Sequence, residues 1–321
     1  MAMKKILVTG SAGFIGFHLA LALKKRGDLV VGYDNFNAYY SQELKKARSA
    51  LLEQQGIATV HADICDAEAL RKAIDDHQIT HFVHLAAQAG VRYSLKNPDA
   101  YVQSNLNGFV QVLEALKARP HIPLIYASSS SVYGLNTKIP FAETDQTDKP
   151  ASFYGATKKS SELIAHAYHH TFHIPMMGLR FFTVYGPWGR PDMAYYSFTK
   201  AILEGRTIDV YAGGEVKRDF TYIDDIISGT VQAIDRCSGY EIANLGNHTP
   251  ESVNSMISIL ENLLGKKAIR NEMPLPLGDV PITYADLDKS RRLLDFEPHT
   301  KLEKGLERFV KWYFSYHGEN R

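Results

Sequence analysis

Tyr154 and Lys158 stand four residues apart in YGATK, within a stretch of helical periodicity, so one helix face carries a phenol and an ammonium together. A free phenol titrates at about 10 and is a poor base at neutral pH. Positive charge close by stabilises the phenolate and brings it toward the working range, which suits the pair to taking a proton from an alcohol. A Tyr/Lys pair on a solvated helix is the commonplace alternative, so its meaning depends on what surrounds it. YASSSSVYG (126–134) places three hydroxyls, Ser129, Ser130 and Ser131, directly after an apolar run. A serine run is usually a solvated loop. Between an apolar strand and VYG it reads instead as part of a site.

A second constellation lies at ILVTGSAGFIG (6–16), where an apolar run falls into Gly10, Gly13 and Gly16. A tight strand-to-helix turn needs positive φ or crowded backbone, which glycine tolerates. It also lets a pyrophosphate approach main-chain N–H groups at a helix N-terminus, where the dipole favours anions. A plain glycine turn is the alternative. Asp34 closes the second apolar run, where a carboxylate accepts from a ribose 2′-OH, and Asp63 closes the third, where it can meet an adenine. Together these point to a dinucleotide, and Asp34 repels a 2′-phosphate, so NAD is expected over NADP.

The elements that must hold these groups are legible as alternation. Strands are predicted at 4–10, 29–34, 58–63, 81–86, 124–129 and 176–182, and helices near 14–26, 42–55, 67–77, 98–118 and 152–173. Near-continuous apolar strands alternating with amphipathic helices predict an α/β fold, a Rossmann-like doubly wound parallel sheet. Ligands of such sheets gather at the carboxyl ends of the strands. After residue 182 come the loop YGPWGRPDM, a helix near 194–204, a strand at 208–211, and RDFTYIDDI leading into a helix. The expected division is an NAD-binding domain at 1–182 plus about 219–240, and a smaller, interleaved C-terminal substrate lobe at 183–218 and 241–321, closed by a helix near 301–317. The lobes are expected to enclose a cleft.

With spacing G-x-x-G-x-x-G, the turn resembles the fingerprint of the extended short-chain dehydrogenase/reductase family, and matching motifs run from residue 6 to about 286. The resemblance implies Tyr154, Lys158 and Ser129 as the catalytic group. It implies a cofactor cradle of Gly10, Ala12, Gly13, Phe14, Ile15 and Gly16. Asp34, Asn35, Asp63, Ile64, Leu85, Ala86, Ala87 and Asn105 continue the cradle, with Tyr154 and Lys158, although a capping role for Asn105 is nearly as well supported.

Ser130 and Ser131 stand where members resembling 4,6-dehydratases carry acidic residues, and Ser131 where decarboxylases carry a glutamate. Hydroxyls alone favour chemistry confined to hydride and one hydroxyl proton. HLAAQAGVRYS and RFFTVYGPWGRPDMAYYSF resemble UDP-glucuronate 4-epimerases specifically, and Thr183 departs from the asparagine of most relatives.

The implied activity is a 4-epimerase interconverting UDP-glucuronate and UDP-galacturonate through a 4-keto intermediate, with NAD bound throughout. Arg92, Arg190 and Arg218 are expected on loops at the cleft. Arg218 matches the arginine that clamps the diphosphate, since a guanidinium suits phosphate oxygens. Arg190 is the candidate for the sugar carboxylate. The 4-keto intermediate is a β-keto acid, so holding its carboxylate near the carbonyl plane would suppress loss of CO₂. Gln88, Thr183, Tyr211 and Asp279 complete the expected substrate contacts, with the three serines. Alternatives are a UDP-glucose/UDP-galactose 4-epimerase, another nucleotide-sugar epimerase or dehydratase, and a non-catalytic NAD-binding regulator, against which Tyr154 and Lys158 count.

Bulk properties bound the rest. The chain has 321 residues, a formal charge of +1 and 45% hydrophobic residues, which argues against a nucleic-acid or membrane-surface partner. Cys65 and Cys237 are too few for a disulfide framework and fit a cytoplasmic enzyme. The short apolar run before Gly10 does not read as a secretory signal. His166, His169, His170 and His173 lack acidic or cysteine companions, so no metal is expected. His81 and His84 flank a strand and read as hydrogen-bonded core histidines. The family resemblance implies a homodimer through helices at 98–118 and 152–173.

Overall fold

Why the apolar runs became buried strands is visible in the first of them. In the computed structural model, which describes residues 3–318, Ile6 and Val8 enter one core with Phe17 and Leu19, while Leu7 enters another with Phe109 and Leu113. Alternate side chains thus face opposite layers of helices, and both faces must be apolar.

Strands β1 (Lys5–Thr9), β2 (Leu29–Asp34), β3 (Thr59–His61), β4 (His81–His84), β5 (Leu124–Ser129) and β6 (Met176–Phe181) lead the chain. Between them run α1 (Phe14–Arg26), α2 (Gln42–Gln54), α3 (Ala67–Asp76), α4 (Val91–Lys96), α5 (Pro98–Tyr101), α6 (Gly108–Lys117) and α7 (Phe153–Phe172). Then follow β7 (Thr183–Tyr185), α8 (Ala194–Leu203), β8 (Thr207–Tyr211), β9 (Lys217–Tyr222), α9 (Ile223–Arg236) and β10 (Tyr240–Leu245). The last elements are β11 (Pro250–Ser252), α10 (Val253–Leu264), β12 (Ile269–Met273), α11 (Asp288–Leu294) and α12 (Leu302–His317).

The main sheet has seven parallel strands in the order β10-β6-β5-β4-β1-β2-β3. Chain direction across the sheet reverses between β1 and β4, which opens a crevice at their carboxyl ends. Gly10 follows β1 and Leu85 follows β4 at those ends, and Ser129 ends the neighbouring β5. This is the doubly wound architecture expected from the alternation.

Three expectations are corrected. The segment 98–118 is not one helix: Val102–Asn107 winds as a π-helix between α5 and α6. Wider winding of this kind is often found at functional sites, and here it carries Asn105. Second, Tyr240–Leu245, most of which falls in the expected smaller lobe, pairs with β6 at the edge of the main sheet. Third, Arg92 lies in the first turn of α4 and Arg218 on β9 rather than on loops.

The remaining strands form a three-stranded sheet, β11-β9-β7, and a two-stranded one, β12-β8. A small core of Ala201, Ile208, Val210 and Ile257 fastens α8, β8 and α10 together. Helix α12 docks through aromatic rings, Phe309 standing edge-on to Tyr195 with centroids 4.8 Å apart.

Candidate active site

The catalytic pair is placed by the start of α7. Ser152 caps that helix by accepting from the Gly155 N–H at 3.0 Å, and the Tyr154 N–H donates to Ser94 Oγ at 3.2 Å. Tyr154 and Lys158 then project one turn apart along one face. Lys158 Nζ donates to the carbonyl of Ala127 on β5 at 2.9 Å. Ser129 ends the same strand, and its Oγ accepts from the Ser131 N–H at 3.1 Å. Sequence-distant groups therefore meet where β5 runs out.

Burial pushes the Tyr154 phenol above its ordinary value; a hydrogen bond with Ser129 and the charge of Arg190 oppose that rise. Lys158, the expected helper, donates to the Ala127 carbonyl. Burial pushes Lys158 itself down to about 8.

Two adjoining cavities meet at this group. The first, of about 240 Å³, is lined by Gly10, Gly13, Phe14, Ile15, Gly16, Asp34 and Asn35, with Ile64, Leu85, Ala86 and Ala87. The second, of about 740 Å³, is lined by Arg92, Ser130, Ser131, Thr183, Tyr211, Arg218 and Asp279. Ser129, Tyr154 and Arg190 line both, and Lys158 lines the first.

The first cavity suits a dinucleotide by four observations. Gly10 has φ +72, and a Cβ on it would lie 2.8 Å from the Ala86 nitrogen. A Cβ on Gly16 would lie 2.1 Å from the Gly10 carbonyl oxygen. Gly13 is the N-cap of α1 and places no side chain over the helix end, leaving its N–H groups open to an anion. Asp34 is held by the N–H groups of Ala12 at 3.0 Å and Phe36 at 2.8 Å, beside the cavity.

Four expected cofactor or substrate residues stand back from both cavities. Ala12 acts through its N–H to Asp34. Asp63 is an exposed carboxylate that accepts from Asn35 Nδ2 at 2.7 Å and the Cys65 N–H at 2.8 Å. Asn105 is buried and brackets Gln88, accepting from its N–H at 2.8 Å and donating to its carbonyl at 3.0 Å. A further bond, from Asn105 Nδ2 to Thr157 Oγ1 at 3.0 Å, ties the π-helix, and through it the loop after β4, to α7. Asn105 and Gln88 thus support the site from behind.

On the substrate side, Arg218 donates to the Val280 carbonyl at 2.8 Å, with Asp279 3.8 Å away. Burial lowers its pKa, Asp279 opposes that, and Arg92 adds to it, so an anion placed here relieves crowded positive charge. Arg92 is paired with Asp279 at 3.2 Å and lies over the Tyr211 ring at 4.2 Å. Arg190 grips Asp192 through Nε and Nη2, and Tyr39 donates to the same carboxylate at 3.1 Å.

Sequence reasoning missed several participants. Tyr39 lines both cavities, and Lys45 lines the first while donating to Asn37. The signal available was the aromatic and basic content of NFNAYYSQELKK directly after Asp34. Behind Ser129, Glu162 accepts from Ser128 Oγ at 2.7 Å and from Arg180 at 2.8 and 2.9 Å, all three side chains being buried.

The histidines of α7 do other work: His166 and His169 pack against Tyr240, and His169 Nδ1 bonds to the Ile174 carbonyl. His84 is a core histidine bonded to Thr9 Oγ1 at 2.8 Å, and His81 bonds Thr80 Oγ1 at 2.9 Å. Among the described residues no cluster of three or more His, Cys, Asp or Glu is arranged to hold a metal ion. No described helix is long and apolar enough to cross a membrane.

A glycine turn at the switch point of a seven-stranded parallel sheet, facing a Tyr/Lys pair, defines a nucleotide-dependent oxidoreductase-type scaffold. The chain belongs to the NAD dependent epimerase/dehydratase family, whose model matches residues 6–246. It is 52% identical over 330 residues to UDP-glucuronate 4-epimerase 2 of Arabidopsis thaliana, covering 97% of this chain and 76% of that protein. It is 45% identical to Protein CapI of Staphylococcus aureus, over 98% of this chain and 99% of that one. In structure it is similar to the UDP-glucuronic acid 4-epimerase from Bacillus cereus in complex with UDP-glucuronic acid and NAD, with TM-score 0.90, 40% identity, and coverage of 97% and 99%.

Proposed function

We infer that this protein is an NAD-dependent isomerase, a 4-epimerase that interconverts UDP-glucuronate and UDP-galacturonate through a transient 4-keto sugar. The observation that carries the reading is the position of Ser129 and Tyr154 between the cavity at the glycine turn and a cavity lined by arginines.

When bound, the nicotinamide supplies the redox chemistry, taking hydride from C4 of the sugar and returning it to the opposite face. Everything else falls to the protein. Tyr154 Oη takes the C4 hydroxyl proton and later gives it back, with Ser129 hydrogen-bonded to the same oxygen. Lys158, fixed against Ala127, orients a nicotinamide ribose. Arg218 holds the diphosphate, about which the keto sugar turns to present its other face. Asp34 holds the adenosine ribose. Thr183, Ser130 and Ser131 contribute hydroxyls to the sugar pocket, so none of these three positions supplies a carboxylate for elimination.

Arg190 faces the sugar carboxylate of this reading. Asp192 already occupies one edge of its guanidinium and, beside a charge that burial disfavours, keeps it cationic. Holding the substrate carboxylate near the plane of the C4 carbonyl prevents the carbon–carbon bond from aligning with the π system and so suppresses decarboxylation.

The smaller lobe, 183–218 and the segments after β10, carries the UDP half of the cleft. A homodimer through α5–α6 and α7 goes with this reading, supported by the exposed apolar side chains of Val102 and Leu163. A cytoplasmic setting is supported by the free thiols of Cys65 and Cys237.

The test is incubation with UDP-glucuronate, UDP-galacturonate and UDP-glucose without added NAD, followed by proton NMR. Interconversion of the two uronates alone is expected. A 4-keto-6-deoxy sugar or a pentose as main product overturns the reading.

A further inference from the structure

Arg48 is fully buried on α2, and its hydrogen-bond partners are all neutral oxygens. Nη1 donates to the carbonyl of Ala12 and to the hydroxyl of Tyr40, each at 2.8 Å. Nη2 donates to the carbonyls of Trp188 at 2.6 Å and Gly189 at 3.1 Å. The Nε position is buried without a partner. No carboxylate forms an ion pair with it among the described residues, so the usual compensation for a buried charge is missing.

The two segments it joins flank the reaction site. Ala12 lies inside the glycine turn, between Gly10 and Gly13. Trp188 and Gly189 immediately precede Arg190. That loop has no easy conformation of its own: Trp188 has φ +58, and a Cβ on Gly189 would run into the Tyr195 hydroxyl. External ties hold it: Arg48 on the Trp188 and Gly189 carbonyls, His18 Nε2 with the Pro187 carbonyl at 2.9 Å, and the Trp188 ring against Phe17.

We propose that Arg48 is a positioning residue that makes the glycine turn and the Arg190 loop one rigid wall, so that cofactor affinity and sugar-carboxylate binding depend on one guanidinium. Only a planar fork reaches acceptors on both segments together; a lysine ammonium satisfies one and abandons the other. Costly burial of charge without a carboxylate is retained because this charge sits where two ligand-binding segments need a common anchor. The inference rests on the reading of Arg190 as the group that holds the substrate carboxylate, and Arg190→Ala measured alongside tests that reading by itself.

Cofactor-stripped Arg48→Met and Arg48→Lys are titrated with NAD by calorimetry, then assayed with UDP-glucuronate at saturating NAD. In Arg48→Met the Kd for NAD and the KM for the sugar nucleotide each rise about tenfold while kcat stays within about threefold, the size expected for lost charge-assisted hydrogen bonds. In Arg48→Lys both constants rise about threefold, since part of the tie survives. A role in stability alone lowers Tm and leaves both constants of the folded protein in place. Constants within about twofold of wild type, or a rise in only one of them, overturn the proposal. If Arg48→Met does not fold, Arg48→Lys carries the same criterion. An unchanged KM in Arg190→Ala overturns the carboxylate reading and this inference with it; a raised KM there beside unaltered Arg48 variants overturns the inference alone.

Discussion

Lys158 Nζ sits 2.9 Å from the carbonyl oxygen of Ala127, two residues before Ser129 on the same strand. That bond aims the catalytic helix at the strand end and leaves the phenol of Tyr154 one turn earlier, beside Ser129. Burial holds this phenol above its ordinary pKa, so its ionisation depends on charge and hydrogen bonds gathered at the site rather than on the tyrosine itself.

Replacing that phenol with Phe removes the proton acceptor and leaves the ring. Tyr154→Phe should retain NAD and lose roughly 10²- to 10⁴-fold in kcat, the range of a general base. Initial rates by NMR with equal cofactor content check this, and turnover near wild type would remove the basis of the mechanism.

Lys158 titrates at about 8 in the fold against 10.5 for a free lysine. The unfolded chain therefore binds the extra proton between those values, and stability rises with pH there. Below about pH 8 the folded protein bears the full cost of a buried ammonium. Cofactor-free Lys158→Met should be more stable than wild type at pH 7, with the difference shrinking steadily from pH 8 toward 10.5. Urea unfolding of both proteins across that interval checks it; a constant difference contradicts the assignment.

Glu162 and Arg180 form a buried, bidentate ion pair, each side chain 3% exposed. Glu162→Gln leaves a buried guanidinium without its anion and should cost about 3–5 kcal/mol. Adding Arg180→Met to that variant should recover part of the loss. Denaturant titration decides, and a double variant no more stable than the single one speaks against it.

Arg190→Ala should still oxidise C4 but release the keto acid from its restraint. The expected sign is a UDP-pentose accumulating beside the epimer, seen by NMR and mass spectrometry. If pentose stays at the wild-type level while C4 is oxidised, Arg190 does not guard the carboxylate.

At Gly16 a methyl group would stand 2.1 Å from the Gly10 carbonyl oxygen, which is backbone and cannot swing aside. Gly16→Ala should distort the turn, cost about 1–3 kcal/mol or more of stability, and yield protein that loses NAD on gel filtration. Nucleotide content per chain measures it directly. Full retention would show that the turn is less crowded than its geometry states.

The legible part of this protein followed from local rules. Leu29–Asp34 and Leu124–Ser129 have the bounds expected of them, because an apolar β-prone run bounded by turn residues announces both its ends. The three-stranded sheet of Thr183–Tyr185, Lys217–Tyr222 and Pro250–Ser252 was not legible as a sheet. Two of its strands have three residues each, too few for a period to register, and their partners lie far along the chain. The helix expected over 98–118 failed for a related reason: its pattern is continuous, and the π winding at Asn105 coincides with long-range bonds to Gln88 and Thr157.

Arginines divide most clearly. Arg48 and Arg180 belong to no motif in the sequence and are among the most buried side chains in the fold, whereas Arg92 is exposed and stacked over Tyr211. A charge carries no mark of its burial until its partners are assembled.

By itself the sequence determined the alternation of strands and helices, the glycine turn, the Tyr/Lys spacing and the acid at the second strand's end, since each is a property of neighbours within a few residues. Only the tertiary structure decided which residues face the cleft, that Asn105 and Gln88 stand behind it, and that one guanidinium ties Ala12 to Trp188. Those are meetings of segments far apart in the chain, and they exist only once burial has brought donors and acceptors into the same dry space.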